Sequence, residues 1–277
     1  MRAGLPIGGK TGGIGFIVIL AVVFFVGGPE AVLNMLSGSG GTTQVPGSSA
    51  TDPRQVSNES ARAVPANDEG GQFVAAMLAS TEDVWTALFS EQGQRYAAPK
   101  LRLFTGGVQS DCGYNSSAVG PFYCPPDQKV YIDLGFYDQL AQMGGAGDFA
   151  QAYVIGHEVG HHIQNLLGTS ERVQQMSRGL DESGRNQLGV RMELQADCYA
   201  GVWAHHANKA HQVLEPGDVE EGLAAAQAIG DDTLQRNAGR QISPDSFTHG
   251  SSAQRMQWLR RGLSIGTVAA CDTFASP

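Results

Sequence analysis

The stretch from Asp148 to Gly168, DFAQAYVIGHEVGHHIQNLLG, carries two patterns at once. Ala152, Ile155, Val159, Ile163 and Leu166 recur at helical spacing and share one face, which predicts an amphipathic helix over about Asp148–Leu167. Asp148 stands where helix N-caps are favoured and Gly168 where helices end. His157 and His161, four residues apart, project from the opposite side. Positions i and i+4 lie roughly 5–6 Å apart at Cβ, so two imidazoles can reach one ion. Glu158 is rotated one position away. It points beside such an ion, where a carboxylate can serve as base toward an attacking water. A coincidental pair of surface histidines is the bland alternative, so the motif depends on its surroundings.

Downstream, Glu193-Leu194-Gln195-Ala196-Asp197 lies in a second predicted helix, Asn186–Ala207, with Glu193 and Asp197 again at i and i+4. Ala200, Gly201 and Ala204 continue that face with small side chains that would let the two helices approach closely. Zinc in catalytic sites takes three protein ligands and leaves a position open, and two histidines with a glutamate form one such set. Glu193 is the natural third ligand to one Zn2+ per chain. Asp197 is the natural acceptor for the free N–H of a ligand histidine. An ordinary solvated pair of acids is the alternative. His249, in Thr248-His249-Gly250, precedes a predicted last helix, Ser252–Leu263. A donor there could stabilise negative charge developing on a carbonyl oxygen. A helix-capping histidine is the equal alternative, and Tyr131 and Tyr199 are weaker candidates for the donor. His162 faces away from the ion by about 100° and reads as structural. His205, His206 and His211 read as solvated.

Upstream, Phe73 to Phe89 shows helical spacing. Lys100 to Thr105 alternates as a half-buried strand, and Pro121 to Asp133 reads as a hairpin turning at Pro125-Pro126-Asp127, with its second strand at Lys129–Asp133. Further helices are predicted at Tyr137–Met143, Ser170–Arg178 and Val219–Ile229. The sum is a helix-rich α+β domain with a small antiparallel sheet.

The chain has 277 residues, 16% of them charged, and a net charge of -9. That balance lacks the clustered Lys and Arg that nucleic acid requires. Gly12 to Gly28, GGIGFIVILAVVFFVGG, is uncharged and preceded by Arg2 and Lys10. As a helix it spans roughly 25 Å, the short end for a membrane span, and the positive flank keeps the N-terminus in the cytoplasm. A cleaved signal peptide is the competing reading, but no A-x-A-like site follows. The organisation expected is a cytoplasmic terminus at 1–11, a single-pass anchor at 12–28, a flexible extracytoplasmic linker at 29–71, and a metallopeptidase domain at 72–277. Cys112, Cys124, Cys198 and Cys271 form no C-x-x-C pair, and export favours two disulfides. Three pairings are open; Cys112–Cys124 and Cys198–Cys271 are favoured.

HEVGHHIQ (157–164), ELQADCYAGVW (193–203), GPFYCPPDQKVYID (120–133) and FTHGSSAQR (247–255) together resemble the neutral zinc metallopeptidases. These are bacterial membrane-anchored proteins with gluzincin-like HExxH…ExxxD sites. The likeness runs from about Gln72 to Phe274. It implies a zincin-like domain with His157, His161 and Glu193 as ligands, Glu158 as base and Asp197 behind the ligands. By analogy with zincin folds, the strand Lys129–Asp133 would be an edge that pairs with extended substrate. The function expected is zinc-dependent hydrolysis of proteins or peptides outside the cytoplasmic membrane. A non-catalytic envelope or scaffold protein with a structural zinc site is one alternative. A zinc amidase acting on cell-wall peptides is the other.

Overall fold

The computed structural model describes residues 68–275; the expected anchor at 12–28 and nearly all of the expected linker lie outside them. Among the described residues no helix is long and apolar enough to cross a membrane. The first helix, α1 (Glu69–Glu91), starts three residues before the expected domain boundary, capped by Asp68, whose side chain accepts from Gly71 N–H at 2.9 Å. Its Val74, Val84, Trp85, Leu88 and Phe89 are buried on one side, as their spacing requires.

Five short strands follow: β1 (Lys100–Phe104), β2 (Gly107–Ser110), β3 (Gly113–Ser116), β4 (Phe122–Cys124) and β5 (Lys129–Asp133). β2 and β3 form an antiparallel ribbon, turned by Gly113 at φ 111°. β4 and β5 form the expected antiparallel hairpin, with Phe122 opposite Tyr131. β1 then adds in parallel to the other side of β5, giving the order β1-β5-β4. This corrects the expectation that Lys129–Asp133 is an edge. β5 is the central strand, paired with β1 along its whole length and with β4 over Lys129–Tyr131, so it is not a free edge. Val130, Tyr131 and Ile132 are all buried, the continuous apolar run of a strand covered on both faces.

The remaining chain is helical: α2 (Gly135–Gln142), α3 (Asp148–Leu166), α4 (Thr169–Met176), α5 (Glu182–His211), α6 (Asp218–Ala228), α7 (Asp231–Asn237) and α8 (Ser252–Ile265). α3 is the axis of the domain, packed against α1, α5 and α6 and touching β4. Most of its residues are buried all round, so it is a core helix with a polar inner stripe rather than a surface helix. Asp148 is its first residue and not its cap; the Phe149 N–H is shared by Asp148 and by Glu221 of α6, the latter at 3.2 Å.

Small residues set the distance between α3 and α5. A Cβ on Gly160 would lie 2.9 Å from the Cα and carbonyl oxygen of Ala196, and one on Gly156 would meet the Trp203 ring at 2.8 Å. Any larger residue at either place would push α5 outward, and with it Glu193. Gly201, expected on this seam, instead faces α8, where it and Gly262 bring the backbones of α5 and α8 together. Two disulfides close the chain on itself. Cys112–Cys124 ties the β2–β3 turn to β4, and Cys198–Cys271 ties the C-terminal tail to α5.

Candidate metal centre

α3 places His157 and His161 one turn apart, with ring centroids 4.8 Å from each other. α5 crosses beside them and delivers Glu193, 2% exposed. Its Oε2 lies 3.1 Å from His157 Nε2 and its Oε1 lies 3.5 Å from His161 Nε2. One donor atom from each of the three falls within 4.8 Å of the others. Two imidazole nitrogens and one carboxylate oxygen, in a largely dry pocket, are a donor set suited to zinc. The other such group among the described residues, Asp148, Asp218 and Glu221, is all carboxylate and solvent-facing, and Glu221 already accepts from the start of α3.

Asp197, one turn beyond Glu193, is completely buried. Its Oδ1 accepts from His157 Nδ1 at 2.8 Å, from the Tyr153 hydroxyl at 2.6 Å and from Arg255 Nη2 at 2.9 Å. Its Oδ2 accepts from Arg255 Nε at 2.9 Å. The bidentate pairing brings a buried guanidinium from α8 to the back of the site. Burial alone would raise the Asp197 carboxyl. The Arg255 charge and the His157 contact instead hold it below the usual 3.8. Burial works against a charged His157, yet the bond and charge of Asp197, then of Glu193, push it up to about 10. Glu193 is held well below the usual carboxylate range; burial opposes this, and the charges of His161, His157 and His249 prevail. Glu158, buried beside the histidines, goes the other way: burial raises it, more than His157 and His161 lower it.

His249 stands near enough to Glu193 for their charges to interact, on a loop that Asp231 organises. Asp231 Oδ2 accepts the backbone N–H of Thr248, His249 and Gly250 at 2.7, 2.7 and 3.0 Å, and its Oδ1 lies 3.2 Å from His249 Nδ1. Burial lowers His249, but the Asp231 charge and bond outweigh it, so its pKa rises. His249 does not cap the helix that follows; Ser251 does, in a capping box with Gln254. The two tyrosines considered for its role are engaged elsewhere. Tyr131 donates to Asp127 and stacks on Phe122, and Tyr199 packs edge-on against Trp85 in the core.

His162 is fully buried and bridges Ala97 O and the Tyr123 hydroxyl, fastening α3 to the sheet. His205 and His206 are not simply solvated; they bond the carbonyls of Leu263 and Gly266 at the end of α8. Arg255, Tyr153 and Asp231 escape a sequence reading of the site. Arg255 alone leaves a trace, because it falls on the stripe Ser252, Arg255, Leu259, Gly262 that α8 buries.

The family described as "Putative neutral zinc metallopeptidase" matches residues 2–274 of the chain. The chain is 51% identical over 211 residues to the uncharacterized protein YpfJ of Escherichia coli K12, covering 76% of this chain and 73% of the relative. It is 42% identical over 219 residues to an uncharacterized protein of Mycobacterium tuberculosis H37Rv, covering 75% and 73%. No solved structure matches the chain.

Proposed function

The chain belongs to the neutral zinc metallopeptidase family, and from that premise we propose that it is a zincin-like, HExxH-type endopeptidase with a single catalytic zinc. His157, His161 and Glu193 hold the metal in this reading. When bound, zinc supplies a Lewis acid that polarises the scissile carbonyl and makes water acidic enough to react at neutral pH. The observation that carries the reading is the convergence of those three donors on one point, within 4.8 Å of one another. The donor set numbers three, as in catalytic sites, where a structural site would close with four.

Glu158 takes the proton from the attacking water and returns it to the leaving amine. Burial suits it to this, since it raises the Glu158 carboxyl and so makes it a stronger proton acceptor than an exposed glutamate. His249, oriented by Asp231, donates to the oxygen on which charge develops. Tyr153, Asp197 and Arg255 keep His157 in the orientation that leaves Nε2 free for the metal.

The protein acts on proteins or peptides, in this proposal outside the cytoplasmic membrane, anchored by residues 12–28 with 29–71 as a tether. The pairs Cys112–Cys124 and Cys198–Cys271 support that location, because disulfides persist in oxidising compartments.

Glu158→Gln separates metal binding from chemistry. The variant should fold and bind about one zinc per chain, yet lose roughly 10²–10⁴-fold or more in kcat on an unstructured protein substrate. His249→Ala should lower kcat on the order of 10²–10³-fold with little change in KM. Full peptidase activity in Glu158→Gln would eliminate the mechanism and favour a structural zinc.

A further inference from the structure

The imidazole of His161 is held by a chain of hydrogen bonds made only of neutral groups, and its direction can be deduced from its ends. His161 Nδ1 lies 2.9 Å from Gln164 Oε1. Gln164 Nε2 donates to Met192 O at 2.7 Å and to Gln195 Oε1 at 3.2 Å. Gln195 Nε2 donates to Cys271 O at 2.9 Å. Amide oxygen and nitrogen look alike to a packing argument, but a backbone carbonyl can only accept. Cys271 O therefore requires the NH₂ of Gln195, which leaves Gln195 Oε1 as an acceptor. Met192 O and Gln195 Oε1 both require the NH₂ of Gln164. Gln164 Oε1 is then the group facing His161, so His161 Nδ1 must carry the hydrogen. In the neutral ring Nε2 is then left with its lone pair toward Glu193.

Both glutamines are nearly inaccessible, at 0% and 4% exposure, so water cannot substitute for a missing partner. The relay also has a fixed end. Cys271 is bonded to Cys198, which stands one helical turn from Gln195 on α5. Met192, the second carbonyl, is the residue before Glu193. Gln164 thus joins the support of one donor residue to the backbone that carries another.

The geometry points to Gln164, backed by Gln195, as a positioning residue that sets the tautomer of His161 and its distance from Glu193. This rests on the metal-site reading above only in assigning His161 Nε2 to the metal. Asp197 does the corresponding work at His157 with a charge; here the same result is reached with no charge at all.

The test uses the full-length protein, stripped of zinc with a chelator, and two readouts. The first is the tautomer of the neutral His161 ring, read by ¹⁵N NMR in alkaline solution; the second is zinc affinity in competition with a chromophoric chelator. Wild type should show the Nδ1–H form alone. Gln164→Leu, of similar size, should mix the tautomers and weaken zinc by roughly 10–100-fold. Gln164→Glu restores an acceptor at the same reach while disturbing the bonds to Met192 and Gln195. It should regain the tautomer and most of the affinity even where thermal stability stays low. Gln195→Leu, one step removed, should shift both readouts in the same sense by a smaller factor, which keeps the test open if Gln164→Leu fails to fold.

A single Nδ1–H tautomer with wild-type affinity in Gln164→Leu or in Gln195→Leu would overturn the proposal. So would a Gln164→Glu variant no better than Gln164→Leu, which would make the role one of packing. Zinc that binds wild type without engaging His161 would instead defeat the metal-site reading, and the tautomer measurement would still decide the relay.

Discussion

His157 and His161 sit one turn apart on α3 and face the same point, but the protein holds them by opposite means. Behind His157 stands a buried ionic cluster: Asp197, Arg255 and Tyr153, all within hydrogen-bonding distance of one another. Behind His161 stand two neutral amides that end on backbone carbonyls. Buried charges cost several kcal/mol each to dehydrate, and the cluster persists only because every charge has its partner. Neutral amides cost far less to bury and gain far less when bonded. The ionic side should therefore be brittle and pH-dependent, and the amide side tolerant and indifferent to pH.

The largest effect expected is from Arg255→Ala, which leaves Asp197 buried with its principal counter-charge removed. A loss of about 3–5 kcal/mol follows for breaking one member of such a pair. For a domain of this size that is about 6–20 °C in Tm, measured by calorimetry. The double change Asp197→Leu with Arg255→Met removes both charges and should be less destabilised than Arg255→Ala alone. A double variant worse than the single would show that the cluster is not governed by unpaired charge.

Next in size is the response to pH. In protein treated with a chelator, His157 rises from its ordinary 6.5 to about 10 on folding. A raised pKa contributes stability that is fully present below 6.5 and lost as pH climbs through about 10. Glu193 and Asp197 are depressed from 4.5 and 3.8, so their contribution is present above those values and lost as pH falls through their folded pKa values. Chelated protein should thus be most stable between about pH 5 and 6.5 and weaken steadily into alkali. With His157 as a ligand, as proposed, zinc would need its unprotonated Nε2, so zinc affinity should rise across that same alkaline range. Thermal melts with and without zinc over this range check both signs. Chelated protein whose Tm holds level from pH 6.5 to 10 would break the distinction between the two supports.

Asp197→Asn keeps the shape and removes the charge. It should weaken zinc by roughly 10–100-fold, seen in competition with a chelator. Smallest of all should be Gln195→Leu on stability, about 1 kcal/mol for a neutral bond lost in the interior. A Gln195→Leu variant as unstable as Arg255→Ala would erase the comparison.

Much of the centre is written in local spacing. His157 with His161, and Glu193 with Asp197, are each i and i+4, and a helix turns any such pair to one side whatever surrounds it. Of the three pairings left open, the favoured one, Cys112–Cys124 with Cys198–Cys271, is the one formed. The elements missed were those with weak local patterns. The β2–β3 ribbon is polar and short, and α7 is seven residues long, too few for a period to declare itself. The edge assignment of β5 rested on analogy with zincin folds, and the hairpin signals that located the strand name its neighbour on one side only. β1 joins on the other side from 29 residues earlier, where Lys100 pairs with Lys129.

The sequence by itself determined the longer helices and the i, i+4 pairs His157–His161 and Glu193–Asp197 that they carry, because each depends on contacts within a turn or two of chain. Only the tertiary structure decided what stands behind them. Arg255 reaches Asp197 across 58 residues, Gln195 reaches Cys271 across 76, and Asp231 reaches the His249 loop across 17 to 19. A side chain buried away from water must find its hydrogen-bond partner wherever the packed chain puts one, and no periodicity along the sequence records that place.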